Sequence, residues 1–576
     1  MPLTATLETA AVPRAVSWRG YAAIALLVTA VSSLLIIGSY RHLSHTFDEP
    51  THLAAGLEWL EYHRYTRQTE NPPLSRVPLA VIPFLSGMRL ADPNATGFAG
   101  EVGLLYENGD YVATVTKARV ANLLFFWAVV LLTWVLSGGR HDPQIAALAS
   151  CLVATLPAIV AHAGLATTDV PFVVAFLAAL WRWKALLGAP TRANAGWLGL
   201  AVGAALATKF STIPFLPPAA AALLFTFYAT GRLHEHWRSL RVVLSRTLLA
   251  AIVAALTIWA CYGFRIGTLG ELPANFGYGR MPTTGWVAAI QHVALPAHEF
   301  WHGLLFLQAH TKAGHLSYML GQTSQRGFWL YYPVMLLVKT PLITLLFLLV
   351  GSALATRGRK SPEFSGYALG AAGVLLAAVT SPINLGIRHV LAIYPLLCMA
   401  AAFGVARAAT STRRTAVWVV TALVIALQMA VLVQAYPRQL SYTNAIAASQ
   451  PDYFVSDSDL DWGQDVIAME DYFRAHPVSA LYLVPNGSAL FCQHDLPPLT
   501  SLPVGREVNG WIAVFERAYQ LNRPAPALRK DLCQPSGPAN RFETTNGWLD
   551  WLHRRKPVAV IGSGVLLFHV TDAQID

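Results

Sequence analysis

Charge is scarce in this sequence. Only 12% of its 576 residues are Asp, Glu, Lys or Arg, against 55% hydrophobic, and the mean hydropathy is +0.45. A soluble protein of this length carries about twice that charge. The apolar residues also fall in long blocks, so a polytopic helical membrane protein is expected. A cleavage site of small residues is missing after the first apolar block, which is therefore expected to remain as a helix. A basic-aromatic surface is missing too. The net charge is +10 and the pI about 9.4, yet Lys and Arg lie mainly in short loops between apolar blocks. That is the pattern of membrane topology and argues against a nucleic-acid partner. Cysteine is sparse, with five in all. Cys151, Cys261 and Cys398 lie in apolar blocks and read as packing residues. Cys492 and Cys533 lie in a polar tail; they form a disulfide if that tail is extracytoplasmic, or stay as two free thiols. Internal repeats and low-complexity segments are absent.

What is present is a series of apolar runs near the roughly 20 residues that cross a bilayer. Eleven are expected as spans: 20–40, 117–137, 144–162, 167–187, 196–208, 211–230, 245–265, 331–355, 364–380, 388–405 and 414–435. With the N-terminus cytoplasmic, the inner loops "SGGRHDP", "WRWKALLGAPTRAN", "GRLHEHWRSLRVVLSR", "ATRGRKSPEFS" and "RAATSTRRTA" all carry Arg or Lys. The short outer connections "HAGLATTD", "TKFSTIP" and "SPINLGIRH" carry one or none, as the positive-inside rule requires. Residues 1–435 then form a membrane domain with long outer loops at 41–116 and 266–330, and 436–576 form an extracytoplasmic domain. Within the tail, "SALYLV", "GWIAVF" and "PVAVIGSGVLLFHV" read as strands and "DWGQDVIAMEDYFRAH" as a helix, giving a small α/β domain. Residues 51–65 and 73–90 read as amphipathic interfacial helices, with Trp59, Tyr62 and Tyr65 suited to that depth.

Ionisable residues cluster at the outer ends of these spans. "HLSHTFDEPTH" places Asp48, Glu49, His45 and His52 just beyond the first span. They belong either to a solvated loop or to an outward cavity in which Asp48 or Glu49 acts as a general base or metal ligand, with His52 beside them. Asp169 opens the fourth span, where it caps the helix with Thr167 or Thr168 or joins the same acidic site. Lys209, Arg388 and His389 lie at the same depth, and Lys339 about two turns deeper. Snorkelling explains Lys209 and Arg388; an outer-leaflet phosphate would gather all of these cations. In "SDSDLDWGQD" the acids alternate, but Trp462 and Ala468 stand where an EF-hand needs Gly and Glu. Asp459 and Asp461 therefore serve either acceptor or metal binding or a turn, and Trp462 either stacks on a sugar or fills a core.

Several of these segments resemble one family. "FDE", "NPPL", "TTDVPF", "TKFS", "GQTSQRGFWLYYPVMLLVKTPL", "SPINLGIRHVLAIYP" and "YPRQLSYTNAIAASQ…DSDLDWGQD" resemble the GT-C class of polytopic glycosyltransferases. In particular they resemble the protein mannosyltransferases and aminoarabinose transferases, and bacterial glycosyltransferase family 39. The resemblance implies transfer of a hexose or pentose from a polyprenyl-phosphate donor to a lipid, glycan or protein acceptor at the outer face of a bacterial plasma membrane. Asp48 takes the position of the catalytic acid, with Glu49 beside it. Asn71 stands where aminoarabinose transferases have a lysine that contacts the lipid phosphate, which shifts phosphate binding onto Lys209, Arg388 or His389. The reading is an inverting transferase with Asp48 as base and Arg388 and Lys209 on the leaving phosphate. A divalent metal on Asp48, Glu49 and Asp169 is left open. The alternatives are a flippase for a lipid-linked sugar, against which stands the lack of an inverted repeat or paired broken helices, and a non-catalytic scaffold.

Overall fold

The computed structural model describes residues 17–90, 97–107, 109–274, 280–357, 362–409, 414–522, 532–533 and 547–572. Parts of the expected inner loops, at 358–361 and 410–413, and of the tail, at 523–531 and 534–546, lie outside the described residues. Lipid offers no partner for backbone N–H and C=O, so long apolar runs satisfy them internally as helices. Helix α1 (Trp18–Ser39) leads into an outer segment with α2 (Glu49–Tyr62), α3 (Pro73–Leu85) and α4 (Phe98–Glu107). Then follow α5 (Tyr111–Leu136), α6 (Pro143–Ala154), α7 (Pro157–Ala163), α8 (Asp169–Gly188), α9 (Arg192–Leu206), α10 (Thr212–Ala229) and α11 (Leu240–Cys261). A second outer segment holds β1 (Ile266–Gly267), α12 (Gly285–Ile290), β2 (Leu295–Pro296), α13 (His298–Ala313), β3 (Ser317–Met319) and β4 (Gln322–Ser324). The remaining bundle helices are α14 (Tyr331–Lys339), α15 (Leu342–Arg357), α16 (Pro362–Val379), α17 (Ile393–Ala408) and α18 (Arg414–Gln434).

All eleven expected segments are helical, but they are not alike. Among the described residues six helices, α1, α5, α8, α10, α11 and α18, are long and apolar enough to cross a membrane, and eight if each bent pair is one span. The pairs are α6–α7, bent by 65°, and α14–α15, bent by 110°, so the broken helices whose expected absence counted against a flippase are present, and that argument falls away. Pro157 and Pro341 sit at these breaks, where a proline lacks the N–H and pushes the residue before it out of the helical region. The expected span 388–405 starts later, at Ile393, because residues 387–390 form a separate 3-10 turn. Helix α9 is 15 residues long, about 22 Å at 1.5 Å per residue. It packs closely on α11: a Cβ on Gly199 would meet the Ala250 carbonyl oxygen at 2.5 Å, and one on Gly203 that of Ala254 at 2.6 Å. Small residues four apart let the two backbones approach. The far side of α11 leaves Leu240, Leu244, Leu248, Ile252 and Leu256 exposed, a lipid-facing row.

The first outer segment differs from expectation. Helix α2 is buried along Glu49–Glu58 rather than lying along the interface. Tyr65 is buried and donates its hydroxyl to the Asn71 carbonyl at 2.5 Å. Helix α3 does have the expected two faces, burying Ser75, Arg76, Leu79 and Ala80 and exposing Val81, Ile82 and Leu85.

The tail folds as the expected α/β unit. It contains α19 (Pro451–Phe454), α20 (Val466–Ala475), β5 (Leu481–Val484), β6 (Leu499–Ser501), β7 (Gly510–Phe515), α21 (Glu516–Leu521), β8 (Ala559–Ile561) and β9 (Val565–Val570). The sheet order is β6-β5-β7-β9-β8, with β5 parallel to β6 and β7, and β9 antiparallel to β7 and β8. Cys492 and Cys533 are joined in a disulfide, and Cys151, Cys261 and Cys398 are free thiols. The tail is laced to the first outer segment by backbone bonds. Ser44 N donates to Gln464 O at 3.0 Å and Phe47 N to Trp462 O at 3.1 Å, and Val466 N donates to Ser44 Oγ at 2.9 Å.

Candidate active site

Asp48 is the N-cap of α2, yet its carboxylate makes no capping bond. An N-cap aspartate ordinarily accepts from the first turn of its own helix. Here it accepts instead from Arg388 Nη1, at 2.7 Å. Arg388 stands on the 3-10 turn Ile387–Val390, between α16 and α17. Three contacts fix that turn. Ile387 N donates to both carboxylate oxygens of Asp459, at 3.1 and 3.0 Å. Arg388 Nε donates to Leu385 O at 3.0 Å. The guanidinium lies over the Trp462 ring, 4.1 Å from its centroid, in cation-π geometry. Gly386 precedes the turn at φ +89, and a Cβ there would stand 2.4 Å from Ser458 Oγ, so only glycine fits.

A second ion pair lies beside the first. Asp169 opens α8, and Lys209, on the turn between α9 and α10, donates to its Oδ1 at 2.5 Å. No side-chain cap is made by Thr168. The Asp169 Oδ2 atom is buried with no partner. His389 is half-buried within electrostatic reach of Lys209, Arg388 and Asp169. His52 is buried in the first turn of α2, where burial and then the Arg76 charge hold its imidazole well below the usual pKa. Arg76 Nε donates to His52 Nδ1 at 2.9 Å, so that nitrogen is the acceptor.

Of five residues singled out in the sequence, Glu49 and Lys339 are placed otherwise than expected, and Asp459, Asp461 and Trp462 take the structural one of their two expected roles. Glu49, expected beside Asp48 as a second candidate base, is taken up by structure. Arg119 grips it from Nε at 2.7 Å and Nη2 at 2.8 Å, while Ala166 N and Thr46 N each donate at 2.7 Å. Burial would raise this carboxyl, but Arg119 and the backbone donors hold it below the usual carboxylate range. Lys339, expected on a phosphate, donates instead to the carbonyls of Leu440 and Asp459, at 2.7 Å each. Asp461, for which a turn role stood beside acceptor or metal binding, accepts from Gly463 N, Arg517 N and Asn486 Nδ2 within the tail; burial pushes it up to about 7. Asp459 serves the Arg388 turn rather than a ligand. Trp462, at 2% exposure, is a buried platform for Arg388 and not an open sugar-stacking face.

The donor set does not suit a metal. Asp48, Glu49 and Asp169 pair with three different cations, Arg388, Arg119 and Lys209. Among the described residues no group of three His, Cys, Asp or Glu is arranged to hold a metal ion.

Three site residues went unnoticed in the sequence: Arg76, Arg119 and His162. Arg119 had a usable signal, since an arginine inside an apolar run must have a partner. His162, at the end of the apolar run 144–162, carried a weaker form of the same signal; Arg76 had none, because its partners come from other segments of the chain.

No protein-family model matches the sequence, and no curated protein is significantly similar to it. The fold is similar to several solved structures. One is ArnT from Cupriavidus metallidurans bound to undecaprenyl phosphate, at TM-score 0.45 and 15% identity, covering 74% of this chain and 67% of that one. Another is the Archaeoglobus fulgidus oligosaccharyltransferase tethered with an acceptor peptide, at TM-score 0.42 and 14% identity, covering 73% and 55%. A third is archaeal AglB from the same organism with an inhibitory peptide and a dolichol-phosphate, at TM-score 0.42 and 13% identity, covering 85% and 69%.

Proposed function

We propose that this chain transfers a sugar from a polyprenyl-phosphate donor to an acceptor hydroxyl at the outer face of a bacterial plasma membrane, with inversion. The observation that carries the reading is the Asp48–Arg388 pair. A carboxylate that makes no cap bond is held at 2.7 Å by an arginine stacked on Trp462. The Asp48 side chain keeps 27% of its surface and Arg388 9%, whereas the Glu49–Arg119 pair keeps 3% and 0%. Of the two acids, Asp48 is the one a substrate reaches.

In this mechanism the donor phosphate takes the Arg388 fork, which suits two phosphate oxygens, and Asp48 is released from the pair. Asp48 then accepts the proton of the acceptor hydroxyl. The hydroxyl oxygen bonds to the anomeric carbon from the face opposite the phosphate. The bond from that carbon to the phosphate oxygen breaks, and its electron pair stays with the polyprenyl phosphate. General-base help is worth about 10²–10⁴-fold. Arg388 stabilises the charge that grows on the leaving phosphate, with Lys209 adding to the local field and the neutral His389 offering a ring N–H donor. Lys209 is bound to Asp169, so its role is to keep Asp169 in place as well as to supply charge.

Two features support the orientation. The expected inner loops are the basic ones, and the tail carries a disulfide, which persists in oxidising compartments. The test is turnover by purified protein supplied with polyprenyl-phosphate sugars and sugar-alcohol, glycan and peptide acceptors. Release of free polyprenyl phosphate is expected with at least one sugar. Flipping of labelled donor in vesicles, with no release for any sugar, would replace the transferase with the flippase.

A further inference from the structure

His162 is a buried polar group for which the mechanism above has no use. It lies in α7, the half-helix beyond the 65° break. It has no exposed surface, and neither ring nitrogen has a hydrogen-bond partner. A neutral imidazole carries one donor and one acceptor, and buried polar groups left unmet are rare and costly. The ring stands edge-on to Trp462, centroids 6.3 Å apart, on the platform that carries Arg388. Ala161 and Leu165 from either side of it pack with Trp462, Leu440 and Phe47. His162 is within electrostatic reach of Asp169, whose Oδ2 is also buried and unpartnered. Thr167, on the same connection, has a buried hydroxyl oxygen without a partner.

Unmet donors and acceptors therefore lie on one short stretch, from α7 to the start of α8, whose ends meet the Trp462 platform of Arg388 and the Lys209 ion pair. We propose that His162 and Asp169 hold a hydroxyl of the transferred sugar, which makes His162 a specificity residue for the donor. A hydroxyl matches both groups at once, since it accepts from the imidazole N–H and donates to the carboxylate. A phosphate does not match, because its charge would face Asp169. An apolar group would leave all of these atoms unmet. This inference rests on the transferase reading and names the part of the donor that this end of the site recognises.

The test is a set of polyprenyl-phosphate hexoses and their monodeoxy analogues, with bare polyprenyl phosphate as control, on wild type, His162→Phe and His162→Asn. His162→Phe keeps a flat ring against Trp462 and removes both nitrogens; His162→Asn keeps a donor and an acceptor. At one ring position, loss of the hydroxyl should raise the wild-type KM about ten- to a hundredfold, because it removes a bond to the charged Asp169 carboxylate together with the bond from His162. The same deletion should cost His162→Phe clearly less than it costs the wild type, because only the bond to Asp169 is left to lose, while His162→Asn recovers part of the wild-type response. Binding of bare polyprenyl phosphate should be unchanged in both variants. If His162→Phe responds to every deoxy analogue as the wild type does, the ring meets only water and the inference fails. Equal weakening of bare polyprenyl phosphate would also overturn it, because His162 would then act on the phosphate side. A wild-type protein that neither binds bare polyprenyl phosphate nor releases it from any donor would sink the transferase reading itself.

Discussion

Asp48 and Glu49 are neighbours in sequence with opposite surroundings, and their variants should separate cleanly. Asp48→Asn removes a base and keeps the volume, so the protein should fold and insert while transfer falls about 10²–10⁴-fold. Glu49→Gln should act on stability first, because it strips the counter-charge from an arginine with no exposed surface. Breaking a buried pair by removing one partner costs about 3–5 kcal/mol, and one surviving amide oxygen keeps the loss at the lower end. Thermal unfolding in detergent checks this; a Glu49→Gln protein as stable as wild type but inactive would make Glu49 the chemical residue instead. The sequence put both acids just beyond the first span, and there they open α2. What separates them is Arg119, 70 positions along the chain, and that distance in sequence carried no pairing information. Lys339 was hidden in the same way: its partners are main-chain carbonyls of the tail, which have no residue signature.

At the scale of elements, the apolar blocks were enough to place every bundle helix. The breaks at Pro157 and Pro341 were written in the sequence as prolines inside apolar runs, but length alone joined the halves. The burial of α2 was not legible, since it depends on α3 closing over it: a Cβ on Gly56 would lie 2.6 Å from the Arg76 carbonyl oxygen. The element that matters most to the site is the clamp between the 386–390 turn and the 456–465 loop. Gly386→Ala should distort it, because the residue sits at φ +89 and the new methyl would meet Ser458 Oγ. Transfer should drop at least tenfold with the helices intact by circular dichroism. Lys339→Met should leave the carbonyls of Leu440 and Asp459 buried without a donor, and hydrogen exchange across 440–465 should rise while the sheet β5–β9 stays protected. Unchanged exchange in that loop would mean Lys339 does not secure the tail.

The whole molecule is a polytopic helical bundle with a small mixed-sheet domain seated on one end, and the candidate site lies where the two meet. That seating explains why a tail motif reading "DSDLDWGQD" carries no open ligand site of its own. Asp459 and Trp462 fix Arg388, and Asp461 closes the tail's own loop. The seating also ties function to topology. Reporter fusions at 232–239 should read as cytoplasmic and fusions after 450 as external, and Cys492 and Cys533 should resist alkylation until reduced. A cytoplasmic tail would move the whole site to the other face of the membrane. The central claim is that Asp48 and a carrier phosphate take turns on Arg388, and binding of bare polyprenyl phosphate to Asp48→Asn tests it most directly. Arg388→Ala should weaken that binding about ten- to a hundredfold, as for loss of a charge-assisted bond, but Asp48→Asn should do the reverse. With its competitor for Arg388 neutralised, the Asp48→Asn protein should bind the carrier phosphate at least as tightly as wild type while transferring almost nothing. An Asp48→Asn protein that loses carrier binding in step with turnover would contradict the account.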